Sequence, residues 1–354
     1  MNSAQFAGLG RLRALSLSFL SKDKLFELAR AKDAAEIAQM LESTWYGPEI
    51  DAAASIHKPP ELIEVAVNRQ LVNINRTAMQ AVPLFGKAAL TSYLAKWDIE
   101  NIELVLAAKS LGRGVEETEA FLVSSRNLPV GLSSAVIPLS DLQALLQQPD
   151  IEAAINYLVK YGYGAVLLQQ LGEFRKTNDL GVFTGALQNL YYSKLLWELR
   201  FLQGDEGVLR EYIRSEISKR NLLNLLKSKE SKLDKEIFTK HLIDGGLVPA
   251  SGMLEAYASS DPAEAAKRLE PWFDLAAPME KYTQSGNLTE LEVAFDKLVV
   301  AKFLPRFRSL PISVTAVFGF VLQAEFERQN IRRITYAKQY GMTEEYIKTV
   351  ILAG

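Results

Sequence analysis

Few residues in this chain could do acid–base or metal chemistry, and their placement argues against both. Among 354 residues there is no Cys, and only His57 and His241 carry an imidazole. Disulfides, thiol nucleophiles and Cys-ligated zinc fall together. Two isolated His residues build no His-rich metal site, and a lone His is more often a surface or satisfied core group than a base. Acids are paired at Glu116-Glu117 and Glu344-Glu345. Each pair follows a Lys and stands where a helix would open, and the macrodipole favours negative charge there without any reaction. No Asp-Asp-x-x-Asp cluster, phosphate-cradling Gly-x-x-x-x-Gly-Lys-Ser/Thr loop or Gly-x-Ser-x-Gly elbow occurs. Gly162-Tyr163-Gly164 begins a dinucleotide fingerprint but lacks the third Gly and a preceding strand, so it reads as a turn. We therefore expect no catalytic, cofactor-binding or metal-binding residue.

The residues with regular spacing are of another kind. Lys109, Lys229 and Lys338 each stand eight residues after an Asn, namely Asn101, Asn221 and Asn330. One reading is that these lysines snorkel from helix C-termini and complement the dipole. The other is a threefold set of basic groups near one opening, thickened in the last unit by Arg332 and Arg333, that binds a partner. The Asn residues sit among apolar neighbours and should be buried and hydrogen-bonded.

Helices must position these groups, and the same helices recur three times. One element starts with Asp and reaches Leu eight residues later, at Asp33–Leu41, Asp150–Leu158 and Asp261–Leu269. The Asp suits an N-cap, Glu36 and Glu264 stand where a capping box wants them, and Pro262 suits the first helical position. Apolar residues at offsets four, five and eight share one face. Aromatics follow at Trp45-Tyr46, Tyr161 with Tyr163, and Trp272-Phe273. The second element is the Asn-to-Lys helix, with apolar residues at offsets one and four and a small residue (Ala108, Ser228, Ala337) at seven, which lets a neighbour approach closely. From Asp33 to Asn101, Asp150 to Asn221 and Asp261 to Asn330 is 68, 71 and 69 residues. A third landmark, Ala66-Val67-Asn68, Ala186-Leu187-Gln188 and Ala294-Phe295-Asp296, precedes each Asn by 35 or 36. Helix breakers (Pro83 and Gly86, Gly204 and Gly207, Pro305 and Pro311) fall between, and the tips near Pro83, Gly204 and Pro311 are expected to form one rim.

The chain thus reads as all-α, with three homologous units over 1–125, 126–245 and 246–354. Long amphipathic helices are expected over Glu61–Met79, Gly185–Leu202 and Leu288–Phe303, and no strand alternation appears. Hydrophobic residues are 48% and charged residues 23%, with 21 Gly and 13 Pro, which is the composition of a folded core. Forty Lys and Arg against 42 Asp and Glu give a net charge of −2, without the basic excess a dedicated nucleic-acid binder needs. The longest charge-free run, Ser309–Ala324, is 16 residues and contains Pro311, too short for a membrane span. Ala14–Leu20 after Arg11 and Arg13 imitates a signal h-region without an Ala-x-Ala site, and reads as the first helix of a cytoplasmic protein.

Several runs resemble the C subunit of V/A-type rotary ATPases and ATP synthases, the counterpart of the eukaryotic V-ATPase d subunit. They are Trp97–Gly112, Asn330–Gly341 with Glu344–Ile347, Arg11-Leu12-Arg13 with Leu20-Ser21, and Ala31–Asp33 with Trp45–Gly47. The family's Asp before the repeat Asn is present as Asp98, with Ser218 and Glu327 in the other units. Its Leu-Asp pair survives as Phe295-Asp296, with Val67-Asn68 and Leu187-Gln188 elsewhere. The resemblance implies a pseudo-threefold, funnel-shaped helical protein without a catalytic site. It would be a monomer between the proteolipid rotor ring and the axle made of the D and F subunits, at the cytoplasmic face, passing torque between them without entering the membrane. The competing reading of the same repeat is a helical scaffold or adaptor of another complex.

Overall fold

In the computed structural model, residues 3–119, 121–124, 137–259, 261–269, 271–272, 276–310 and 313–352 are described. All regular structure among them is helical. The first third holds α1 (Ser3–Leu15), α2 (Lys22–Arg30), α3 (Ala34–Glu42), α4 (Gly47–Ala53), the long α5 (Glu61–Ala81), α6 (Lys87–Leu94), α7 (Lys96–Ser110) and α8 (Val115–Glu119). The middle third holds α9 (Leu139–Leu146), α10 (Ile151–Tyr157), α11 (Tyr163–Leu168), α12 (Leu171–Thr177), α13 (Gly181–Leu199), α14 (Gly207–Glu230) and α15 (Lys235–Lys240). The last third holds α16 (Ala250–Tyr257), α17 (Pro262–Leu269), α18 (Ala276–Ser285), α19 (Leu288–Arg308), α20 (Val314–Gln339) and α21 (Glu344–Val350).

The recurring order follows from the recurring residues. Asp33, Asp150 and Asp261 each accept the backbone N–H of the third residue on, from Glu36 at 3.0 Å, Ala153 at 2.7 Å and Glu264 at 2.9 Å. Each thereby satisfies one orphan donor at a helix start. Glu36 reaches back to the N–H of Lys32, one residue before the cap. The stripe at offsets four, five and eight is buried in every copy, with no member more than 4% exposed. The long helices α5, α13 and α19 carry the third landmark, and α7, α14 and α20 carry the repeat Asn. In the first copy this last helix is interrupted at Ala95 into α6 and α7, while α14 and α20 run unbroken.

The chain divides into two compact units. One comprises the residues up to Leu171 together with those from Phe307 on, and the other comprises Gly172–Arg306. The first core joins the two ends of the sequence: Leu28, Ile37, Leu41, Ile50, Ile63 and Val67 pack with Ile331, Ile334, Ile347 and Ile351. The second core packs Leu222, Leu225 and Phe238 with Met253, Ala265, Leu269, Met279, Leu291 and Phe295. Offsets one and four from Asn330 and Asn221 thus occupy corresponding places in the two cores.

Two expectations are corrected. Pro305 does not break its helix but lies inside α19, which continues to Arg308. Phe303, Leu304 and Phe307 are buried around it, and that burial outweighs one missing backbone hydrogen bond. The long middle helix is Gly181–Leu199, starting four residues before its expected position and ending three before. Gly204 does mark a break, at φ 63°, and Pro83 precedes a 3-10 turn over Leu84–Gly86. Phe273 and Pro311 lie outside the described residues.

Candidate functional site

The repeat Asn side chains form one structure three times. Asn101 donates to the Val123 carbonyl at 3.1 Å and accepts from the Val123 N–H at 2.8 Å. Asn221 does the same with Ile243 at 2.8 and 2.9 Å, and Asn330 with Leu352 at 2.7 and 2.6 Å. The partner is always 22 residues on. Each amide imitates a peptide group, so it pins the chain that leaves the helix and satisfies a buried backbone donor and acceptor.

Three residues before each Asn stands the group that joins one copy to the next. Asp98 accepts the N–H of Ile137 at 3.0 Å and the hydroxyl of Tyr163 at 2.9 Å. Ser218 accepts the N–H of Val248 at 3.1 Å. Glu327 accepts the N–H of Leu20 at 2.5 Å, the hydroxyl of Tyr46 at 2.7 Å and the indole N–H of Trp45 at 3.1 Å. Leu20, Ile137 and Val248 each lie 13 residues before the Asp N-cap of their copy, and Tyr46 and Tyr163 lie 13 after it. Asp, Ser and Glu look unalike in sequence, yet each does one job, because all three offer an oxygen to a backbone N–H. The first copy is tied to the second, the second to the third, and the third back to the first.

Two residues before each Asn, the chemistry diverges. Arg328 donates to Asn68 at 2.7 Å and to Glu100 at 2.9 Å. Lys219 donates to Asp296 at 2.7 Å, with Glu216 at 3.4 Å. Asn68 and Asp296 are the last residues of the third landmark, so that landmark receives a cation from a repeat helix. Ile99, buried and apolar, stands at this position in the first copy. Arg332 extends the same network, its Nε 2.8 Å from the buried carboxylate of Glu64, which also accepts from Asn68.

The repeat lysines divide. Lys109 donates to the carbonyls of Leu146, at 2.9 Å, and Gln148. Lys229 donates to those of Tyr257 at 3.0 Å and Ser259 at 2.5 Å. Both pairs of carbonyls lie four and two residues before the next Asp, so each amine closes the end of a helix in the following copy. Arg333 reaches the carbonyl of Val350 at 3.4 Å. Lys338 is half-buried in the last turn of α20. His57 lies 4.0 Å from Glu61, and His241 is half-buried. Among the described residues, no three acidic or imidazole side chains gather to hold a metal ion, and no helix is long and apolar enough to cross a membrane.

Glu327 makes the link from third copy to first sensitive to pH. Burial pushes its carboxyl up to about 7, against the opposing pull of Tyr46, the Leu20 N–H and Trp45. The Tyr46 hydroxyl is itself pushed well above its ordinary value by burial and by this carboxylate. An acid raised on folding holds its proton longer in the native state than in the unfolded chain. Its stabilising effect is therefore complete at low pH and declines as pH rises from 4.5 through about 7. The decline should amount to about 3 kcal/mol, and Glu327→Gln should abolish it. Urea unfolding of both proteins at intervals between pH 5 and 8 measures the difference in slope; parallel curves would refute it.

The links at offsets minus three and minus two escape a reading of the sequence because each pairs residues far apart along the chain. The signal available is positional: Tyr46 and Tyr163 recur at a fixed distance from the Asp cap. Across nearly its whole length, the chain matches known proteins. Residues 9–350 match the model of the ATP synthase (C/AC39) subunit family. The chain is 38% identical over 354 residues to the A-type ATP synthase C subunit of Thermoplasma volcanium, covering 100% of this chain and 99% of that protein. It is 35% identical over 352 residues to the protein of the same name from Thermoplasma acidophilum, covering 99% of each. It is also 26% identical over 347 residues to the one from Methanocaldococcus jannaschii, covering 97% of this chain and 85% of that protein.

Proposed function

The chain belongs to the ATP synthase (C/AC39) subunit family, and from that membership we propose that it is the non-catalytic coupler of a rotary ATP synthase. In this reading it joins the proteolipid rotor ring to the axle made of the D and F subunits and passes torque between them. Its three helical units, 1–125, 126–245 and 246–354, form a pseudo-threefold funnel at the cytoplasmic face of the membrane. Lys109, Lys229, Lys338, Arg332 and Arg333 are the candidates for partner contact that spacing suggests. Lys109, Lys229, Arg332 and Arg333 have partners within the chain, which favours Lys338 among them for the axle.

The observation that carries the reading is the repeated tie from each copy to the next, with the third returning to the first. A coupler must carry load without its parts sliding apart. Asp98, Ser218 and Glu327 tie successive copies through buried backbone groups, and such bonds are costly to leave unmade. A closed set of ties also leaves no terminal copy free to peel away.

The test is reconstitution. The purified chain mixed with the D and F subunits should elute as one complex of one copy each, and that complex should bind membranes containing the proteolipid ring. A chain that binds neither would overturn the reading and favour a scaffold for another assembly.

A further inference from the structure

The N-terminal arm, α1 with the 3-10 turn Ser16–Ser18 and Phe19-Leu20 behind it, is held by few groups. Leu9 and Leu12 are buried, and Gly8 lies so close to α5 that a Cβ there would stand 3.0 Å from the Cα of Ala81. The Phe19 ring packs edge-on against Trp45, with centroids 4.8 Å apart, and against Phe320 at 5.4 Å. Leu17 is 89% exposed. Among the described residues, one hydrogen bond joins the arm to the rest of the chain, from the Leu20 N–H to the Glu327 carboxyl.

That carboxyl is buried and meets only neutral donors, Leu20, Trp45 and Tyr46. Among the described residues it has no ion-pair partner, because the charges on the elements around it are engaged elsewhere or exposed. On α20 itself, Glu325 meets Lys96, and Arg328 meets Asn68 and Glu100. On α5, Glu64 meets Arg332. On α2 and α21, Lys24 pairs with Glu27, and Glu344 with Arg30 and Lys348. Glu49 of α4 accepts from Asn73. Arg11 and Arg13 of α1, Lys22 and Asp23 of α2, and Glu36 and Glu42 of α3 are exposed.

We propose that Glu327 is a proton-operated latch on the N-terminal arm Ser3–Leu20: while the carboxyl keeps its proton the arm stays packed, and when the proton passes to solvent the arm lifts from α5 and α20. A buried carboxylate without a cation lacks the solvation that its charge needs. Lifting the arm supplies it, because Phe19 and Leu20 leave together and water reaches the carboxylate. The loss of stability with rising pH described above belongs to the whole fold, whereas the latch opens one segment with the rest intact. The coupling function does not enter this argument.

Hydrogen exchange of the full chain, read by mass spectrometry between about pH 5 and about pH 8 and corrected for the intrinsic rate, tests the latch. Protection of peptides within residues 7–20 should fall about tenfold per pH unit up to about pH 7 and then level off. Low urea should change it little, since lifting the arm exposes little surface, while peptides from the middle of α20 should lose protection steeply. Glu327→Gln should make the arm's protection independent of pH. Tyr46→Phe removes a donor that favours the ionised carboxyl and keeps the ring, so the levelling-off should move to higher pH. That second variant decides the matter if Glu327→Gln does not fold. The latch is wrong if the corrected protection of the wild-type arm ignores pH, or if the arm depends on urea as steeply as α20 does. It is equally wrong if Glu327→Gln keeps the pH dependence or Tyr46→Phe leaves it unmoved.

Discussion

Lys219→Met should cost the unit formed by Gly172–Arg306 about 4 kcal/mol. The amine lies 2.7 Å from the Asp296 carboxylate and 3.4 Å from that of Glu216, and its side chain and that of Asp296 are almost wholly buried. Burial alone would lower the lysine's pKa. Glu216 and Asp296 outweigh it, and the net shift is upward. Methionine fills much the same volume, so the loss is of charge rather than of packing. Without the amine, the Asp296 carboxylate must be desolvated without its cation, which is the costly half of any broken buried pair. Adding Asp296→Leu to Lys219→Met should recover most of the loss, because two apolar groups need no solvation. Hydrogen exchange resolved by segment, in rising urea, would assign the effect to α14 and α19. A single variant within about 1 kcal/mol of the wild type, the range of an exposed pair, would show that this buried link holds little.

Replacing a repeat Asn should cost nearly as much, and by a similar amount in each copy. Asn221→Leu leaves the N–H and carbonyl of Ile243 without their partners in a buried place. Asn101→Leu does the same to Val123, and Asn330→Leu to Leu352. An unsatisfied buried backbone group costs roughly 1–3 kcal/mol, so two per site predict a loss of about 3 kcal/mol for each variant. Asn→Asp is no remedy, since a carboxylate accepts from the N–H but cannot donate to the carbonyl. Denaturant midpoints of the three variants test the equality. One variant as stable as the wild type would mean that its clamp is dispensable, and the threefold equivalence of the clamps would be broken.

These two predictions differ in how visible their residues are without the structure. The Asn residues declare themselves by polarity within an apolar stripe and by recurrence at a common distance from the Asp caps. Asp296 also recurs, as the end of a landmark, but nothing in its surroundings names Lys219 as its partner 77 residues away. Glu327 is harder still. It stands at the position of Asp98 and Ser218, yet its three donors come from Leu20, Trp45 and Tyr46, at the opposite end of the chain. The lysines show the reverse difficulty. Their regular spacing is real, and it leaves two readings open. Spacing does not distinguish an amine closing a neighbouring helix, as Lys109 and Lys229 do, from one left uncommitted, as Lys338 is.

By itself the sequence determined the helices, their caps, their buried stripes and the triple recurrence of one pattern. Those features depend on residues within a few turns of one another, and 3.6-residue periodicity and N-cap chemistry are local physics. Tertiary structure decided which oxygen meets which N–H across copies and which cations are neutralised inside. Those outcomes depend on burial, which strips water from groups distant in sequence and so makes each one's value depend on whatever the fold brings beside it.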